Sequence, residues 1–434
     1  MRMLRLKAWA VATALVGIAT QPALARAYEE KPVISAPAAS AAPSHAVFST
    51  AEIRDFLGKA HRAEAIGDPL RRCIAYPDPP GSHWSADATK AYCMYHMQSF
   101  TGYANVKAWI ESGNAAKLDA YLSDAAQKQL GQGEWAGLLD HIYFAYFGDG
   151  SPEAGSLIDA WKRQRPKSAF ALTASARYYM SKAWQARGNK YVRDTPKENF
   201  ERMDKWFELA RKDLDQAIAL DRRALPAYSQ MINIALAQSD DDYAKEAVRK
   251  GLAVDAANYS IYSQLMVMAQ PKWGGSLSEM KQVAASAQAH AKDNALLKLL
   301  LPAADAYDAN LTSCNCTDPT AYRRVFDQMP SGELLDGAAY AVDSATRADL
   351  AVVYQSEAIR FTPWADGMKA QRMHHLIALG EKGWAKSDAD ALSLKPDLDR
   401  SSLEAMNNVY MTVGDFEAIK KTFAKLDALH AKGE

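Results

Sequence analysis

The chain has 434 residues, with 51 Lys and Arg balanced by 51 Asp and Glu and only four cysteines. A formal charge of zero supplies no field to hold a phosphate backbone or an anionic membrane surface, which argues against nucleic acid as a partner. Beyond its first residues the chain has no run long and apolar enough to span a bilayer, which takes about 20 residues, so no membrane insertion is expected after processing.

Residues 1–25 read as a signal peptide. Arg2, Arg5 and Lys7 give a positive start, and an apolar run from Ala8 to Ala19 follows. Ala23-Leu24-Ala25 then places small residues where a signal peptidase needs them. A cut after Ala27 fits nearly as well. Cutting after Ala25 removes three basic residues and leaves 48 against 51 acidic ones, a net charge of −3. The product is expected outside the cytoplasm of a bacterium, periplasmic or secreted. Residues 26–49, rich in Ala, Pro and Ser, hold too few large apolar groups to offset ordering and read as a flexible linker.

Residues 50–165 read as an N-terminal helical region. Ser49 or Thr50 can cap the first helix, with Glu52 in its first turn and Ile53, Phe56, Leu57 and Ala60 at helical spacing. The loop from Tyr76 to Ser82 holds three prolines and a glycine, and a helix resumes over 86–100. Further helices are expected over 104–112, 115–129, 134–147 and 152–163. Cys73 and Cys93 flank the proline loop, and Cys314 and Cys316 form a second close pair. Four cysteines allow three connectivities, and in an oxidising compartment 73–93 with 314–316 is the favoured one. Cys93, His96 and His83 lack the tight four-ligand spacing of structural zinc, so no metal and no cofactor is assigned.

Residues 166–310 form a repeat core. Leu220-Asp221 with Ala227-Tyr228-Ser229-Gln230 recurs as Val254-Asp255 with Ile261-Tyr262-Ser263-Gln264, offset by 34 residues at every matched position. That is the period of the tetratricopeptide helix pair. Ala244 and Gly251 fall where two helices cross closely, because a larger side chain there would push them apart. Asp240 is placed to cap the second helix of the pair, and Thr195 to cap the long helix after Pro196. Two odd phrases bracket the repeat: Ala183-Trp184-Gln185-Ala186-Arg187-Gly188, and Pro271-Lys272-Trp273-Gly274-Gly275-Ser276.

These phrases, with Asp78-Pro79-Pro80-Gly81-Ser82-His83-Trp84 upstream, resemble the bacterial tetratricopeptide-like domain of unknown function 4034 over roughly residues 50–310. The resemblance implies an α-helical repeat fold in exported bacterial proteins, and no activity. Residues 311–330 read as a cysteine-containing loop and short helix, and 331–434 as further helix pairs. Gly380 and Gly414 turn within those pairs, and Lys395-Pro396-Asp397 turns between them. The expected fold is all-α: an α-solenoid of tetratricopeptide-like helix pairs with an N-terminal helical region.

There is no His-Glu-x-x-His, Gly-x-Ser-x-Gly, phosphate loop or dinucleotide fingerprint, so no catalytic residue is assigned. Stacked helix pairs present a surface lined by first helices, suited to an extended peptide or a partner's helix. Ser229, Asn233, Ser263 and Gln264 are candidate lining residues, with Arg187, Lys272 and Trp273 at the two odd phrases. The expected function is an exported scaffold binding a peptide or protein partner in the cell envelope. The alternatives are a cell-envelope enzyme, hydrolytic or thiol-based, and an immunity protein against a secreted toxin.

Overall fold

The computed structural model describes residues 47–313, 318–344 and 347–432. The signal peptide, nearly all of the linker, and Cys314 and Cys316 lie outside the described residues. Three helices lead the chain: α1 (Thr50–Glu64), α2 (Pro69–Ala75) and α3 (Ala86–Met97). Then come α4 (Tyr103–Glu111), α5 (Ala115–Leu130), α6 (Leu138–Tyr146), α7 (Pro152–Gln164) and α8 (Ala169–Arg187). Next are α9 (Lys197–Leu220), α10 (Pro226–Gln238), α11 (Asp241–Val254), α12 (Tyr259–Met268) and α13 (Leu277–Gln288). The last are α14 (Ala303–Asp308), α15 (Ala321–Val325), α16 (Gly332–Ser344) and α17 (Ala348–Phe361), then α18 (Asp366–Ala378), α19 (Lys382–Ser393), α20 (Arg400–Val413) and α21 (Phe416–Lys432). Short 3-10 turns join some of them, and the described residues contain no strand. The fold is all-α, built from helices packed against their chain neighbours.

Two compact units divide the chain. Gln98–Leu300 forms one; the described residues of Ala41–Met97 with those of Leu301–Glu434 form the other.

In the first unit α8 packs on α9, α10 on α11 and α12 on α13, and the leading helices α8, α10 and α12 also meet in turn. The 34-residue offset has a direct structural counterpart. Asp221 ends α9 and Asp255 ends α11, both in extended backbone. Tyr228 and Tyr262, the anchors of the following helices, are both buried, and filling such a site with a large apolar side chain stabilises by roughly 1.5–3 kcal/mol. Gly251 sits at the α11 crossing, where an added Cβ would lie 2.5 Å from Ile261 Cδ1 and 2.9 Å from Tyr228 Cγ. Asp240 accepts from the Tyr243 N–H, as its position at a helix start requires.

Two local expectations fail. The helix expected over 134–147 is broken: a 3-10 turn (Gly133–Trp135) precedes α6, and Gly137 between them is left-handed at φ 71°. Thr195 does not cap α9. Its hydroxyl donates backward to the carbonyls of Lys190 and Tyr191, and Pro196 at the cap position offers no side-chain acceptor.

In the second unit α17 is the centre, with every residue from Leu350 to Phe361 buried. A helix buried on all sides must satisfy its polar side chains internally. Arg360 donates through Nε to the Cys73 carbonyl (2.8 Å) and through Nη1 to Asp78 and Glu357. Ser356 accepts from Arg372 of α18, whose guanidinium also holds Glu64 of α1 (2.7 Å) and Asp388 of α19 (2.7 Å). Trp384 Nε1 adds a bond to Glu64. Helices distant in sequence are thereby registered on one buried cation. Gly380 and Gly414 turn the α18–α19 and α20–α21 pairs at φ 82° and 76°, as expected. The short helix expected within 311–330 is α15, five residues long.

Candidate functional site

Cys73 and Cys93 are joined in a disulfide that ties α2 to α3, with both residues buried to 1% exposure or less. Attack by an external thiolate needs access to sulfur, so this burial suits a staple rather than an exchanging bond. His83 and His96 do not join it: His83 Nδ1 pairs with Asp327, and His96 stands among Tyr92, Tyr95, Phe361 and Trp364. Among the described residues no group of three metal-ligating side chains converges.

The candidate lining residues fall on neighbouring helices. Ser229 and Asn233 lie on α10 and Ser263 and Gln264 on α12, all half-buried. Asn233 Nδ2 reaches Gln264 Oε1 at 3.4 Å across the two helices, and the Ser229 hydroxyl donates back to the Pro226 carbonyl at 3.1 Å. By contrast, the first turns of α8 are buried on every face from Ala169 to Ala176, and Pro226–Tyr228 and Gln230–Ile232 of α10 are buried as well. The partly open positions of α8 therefore lie beyond Ala176, and on α10 only Ser229 interrupts the buried run from Pro226 to Ile232.

Lys272 and Trp273 lie in a 3-10 turn (Pro271–Trp273) closed by left-handed Gly274 at φ 93°. A Cβ at Gly275 would run into the Ala269 backbone, so the glycine pair is needed for the chain to double back on the end of α12. Both side chains are half-buried.

Arg187 is 3% exposed at the end of α8. Its Nη1 donates to the Gly188 carbonyl at 2.8 Å, and its guanidinium stands 5.8 Å from the centre of the Phe200 ring. Its own carbonyl accepts from Asn199 Nδ2 at 2.9 Å. Nε and Nη2 are buried and make no hydrogen bond among the described residues. Burial lowers the affinity of the group for its proton, yet a guanidinium stays charged in proteins.

One constellation has no counterpart among the expected site residues. Asp140, on α6, is 7% exposed, and Asp255, at the end of α11, is 6% exposed. A single amide joins them: Asn258 Nδ2 lies 3.1 Å from Asp255 Oδ2 and 3.5 Å from Asp140 Oδ2. Gln129 supplies the rest on one side, donating to Asp140 Oδ2 at 2.6 Å and accepting from the Leu139 and Asp140 N–H groups. Gln132, held at φ 51°, donates to Asp255 Oδ1 at 2.8 Å. Asp140 Oδ1 is buried without a hydrogen-bond partner among the described residues. Burial, with the charge of Asp255 adding to it, pushes the Asp140 carboxyl up to about 7, although the bond from Gln129 opposes the shift. Burial also raises Asp255. The pair can thus hold a proton near neutrality.

A signal for this pair was present in the repeat itself. In the preceding unit Asp221 is neutralised by Arg223, two residues on, at 2.8 Å. Ala257 occupies the matching place after Asp255, so that carboxylate has no cation of its own. What the repeat could not reveal is that α6 brings a second carboxyl to the same spot.

Residues 106–246 match the model of a family described as a domain of unknown function (DUF4034), which bears out the resemblance drawn from the sequence over that stretch. No curated protein matches the chain.

Proposed function

Starting from a chain that shares its central stretch with a family of unknown function, we propose that this protein is an exported bacterial scaffold that binds an extended peptide or protein segment in the cell envelope. The observation that carries the reading is the polar face shared by α10 and α12. Asn233 and Gln264 bond to one another at 3.4 Å and leave the Asn233 carbonyl and the Gln264 amino group unused in that contact. A primary amide offers both a donor and an acceptor, which is what an extended backbone needs from a surface that reads it. Ser229 and Ser263, one on each helix, add hydroxyls to the same two elements. The stapled Cys73–Cys93 pair suits an oxidising compartment, and no described helix is long and apolar enough to cross a membrane.

A photo-reactive residue placed at position 233 or 264 of the exported chain tests the face. Expected are polypeptide adducts from both positions and none from position 253, an exposed place on α11. Adducts from all three alike, or from none, would end the reading. Export has its own check: the extracytoplasmic protein should begin at Arg26 or Tyr28, and a cytoplasmic product that retains Met1 would contradict it.

A further inference from the structure

The Asp140–Asp255 pair is bonded on both sides to the turns it joins. Arg187 differs from it. It is a permanent cation, 3% exposed, and among the described residues no carboxylate lies within ion-pair distance of it. Proteins bury arginine with a carboxylate or a phosphate, because an unpaired buried charge is strongly unfavourable and the fork of five N–H groups matches two oxygens at once.

The neighbouring element points the same way. Asn199 and Phe200, which touch the Arg187 carbonyl and guanidinium, lie in the first turn of α9. That helix has 24 residues and no side-chain cap: Pro196 cannot supply one, and Thr195 turns its hydroxyl backward. The Asn199 N–H bonds the Pro196 carbonyl, and Glu198 already stands in the first turn, so the N–H groups of Lys197 and Glu198 are the ones left to favour a further negative charge. Lys190, exposed in the connection between α8 and α9, adds a second positive charge nearby in sequence.

We propose that the Arg187 guanidinium and the uncapped start of α9 form a binding site for an oxyanion, the carboxylate or phosphate group of a ligand. Nε and Nη2 take two of its oxygens, and the first N–H groups of α9 take the remaining negative charge. The site needs neither the face of α10 and α12 nor a peptide partner, so the proposal stands or falls separately from the scaffold reading.

The test uses the full exported chain with its disulfide intact, followed by thermal unfolding. Inorganic phosphate and acetate are each titrated against chloride at constant ionic strength. A saturable rise in melting temperature is expected with at least one of them. A lower half-saturation for phosphate assigns a phosphate ligand, and a lower one for acetate a carboxylate. R187K should weaken the response about tenfold, because a point charge replaces the fork. R187M should abolish it while raising the melting temperature in chloride alone, since it removes an uncompensated buried charge. The variant R163M, at an exposed site on α7, should respond as the parent does. Absence of a saturable response in the parent would overturn the proposal. So would an unchanged response in R187M, or a lower melting temperature of R187M in chloride, which would mean that the guanidinium is already satisfied inside the fold.

Discussion

Asp140 is 7% exposed, with one carboxyl oxygen bonded to Gln129 and the other without a hydrogen bond among the described residues. An unfolded aspartate releases its proton near 3.8, whereas the folded group holds it up to about 7. Between those values the folded state carries a proton that the unfolded state lacks, so stability from this residue falls as pH rises and is flat above the upper value. The D140N variant keeps the shape and an acceptor for Gln129 but has no proton to lose. It is expected to match the parent near about pH 4 and to exceed it near about pH 8 by up to about 4 kcal/mol, the upper bound set by the shift. Urea unfolding at both pH values checks this; a variant less stable at the higher pH would show that the charged form is the favoured one. Sequence made Asp255 legible as the end of a repeat unit. It left Asp140 invisible, because the spacing of α6 reports only which residues face a core and not that a second carboxylate waits there.

Helix pairing in the second unit depends on groups that no periodicity predicts. Arg372 is fully buried between Glu64 and Asp388, and removing one partner of such a cluster leaves the others charged and unpaired. R372M is expected to lose roughly 3–5 kcal/mol, an effect far above that of an exposed pair such as Lys59–Asp55. Equal losses from R372M and K59M in chemical denaturation would refute that. The staple between α2 and α3 acts on the same region through the unfolded chain. With Cys73 and Cys93 separated by 20 positions, the C73S/C93S double variant should lose about 3 kcal/mol on the chain-entropy model. Its midpoint should match that of the reduced parent, and a parent indifferent to reductant would contradict the role.

Across the whole molecule the raised carboxyls act together. Glu357 is fully buried, and burial raises it to about 8 even though Arg360 stands 3.1 Å away and opposes the shift. Asp140 adds its own rise to about 7. Both cost stability as pH climbs from the ordinary carboxylate range toward 8. The lowered carboxyls, Glu52 and Glu246 at about 2, lose their contribution only below their ordinary values. They are too exposed to weigh heavily. The melting temperature should therefore be higher near about pH 5.5 than near about pH 8.5. Calorimetry across that window decides, and a rise toward the alkaline side would overturn the assignment.

Local chemistry sufficed for much of this chain. The 34-residue offset, the caps at Ser49 and Asp240, the tight crossing at Gly251 and the turns at Gly380 and Gly414 were all readable, because each depends on residues near in sequence. The breaks were harder. Gly137 divides a run whose periodicity continues through it, and Thr195 prefers its preceding carbonyls to the helix it was expected to cap. Grouping the helices was beyond the sequence. That α1–α3 join α14–α21, around a helix buried on all sides, is decided by Arg360 and Arg372 finding carboxylates hundreds of residues away. The unpaired guanidinium of Arg187 belongs to the same class. A sequence shows that an arginine is present; only the packed structure shows whether anything meets it.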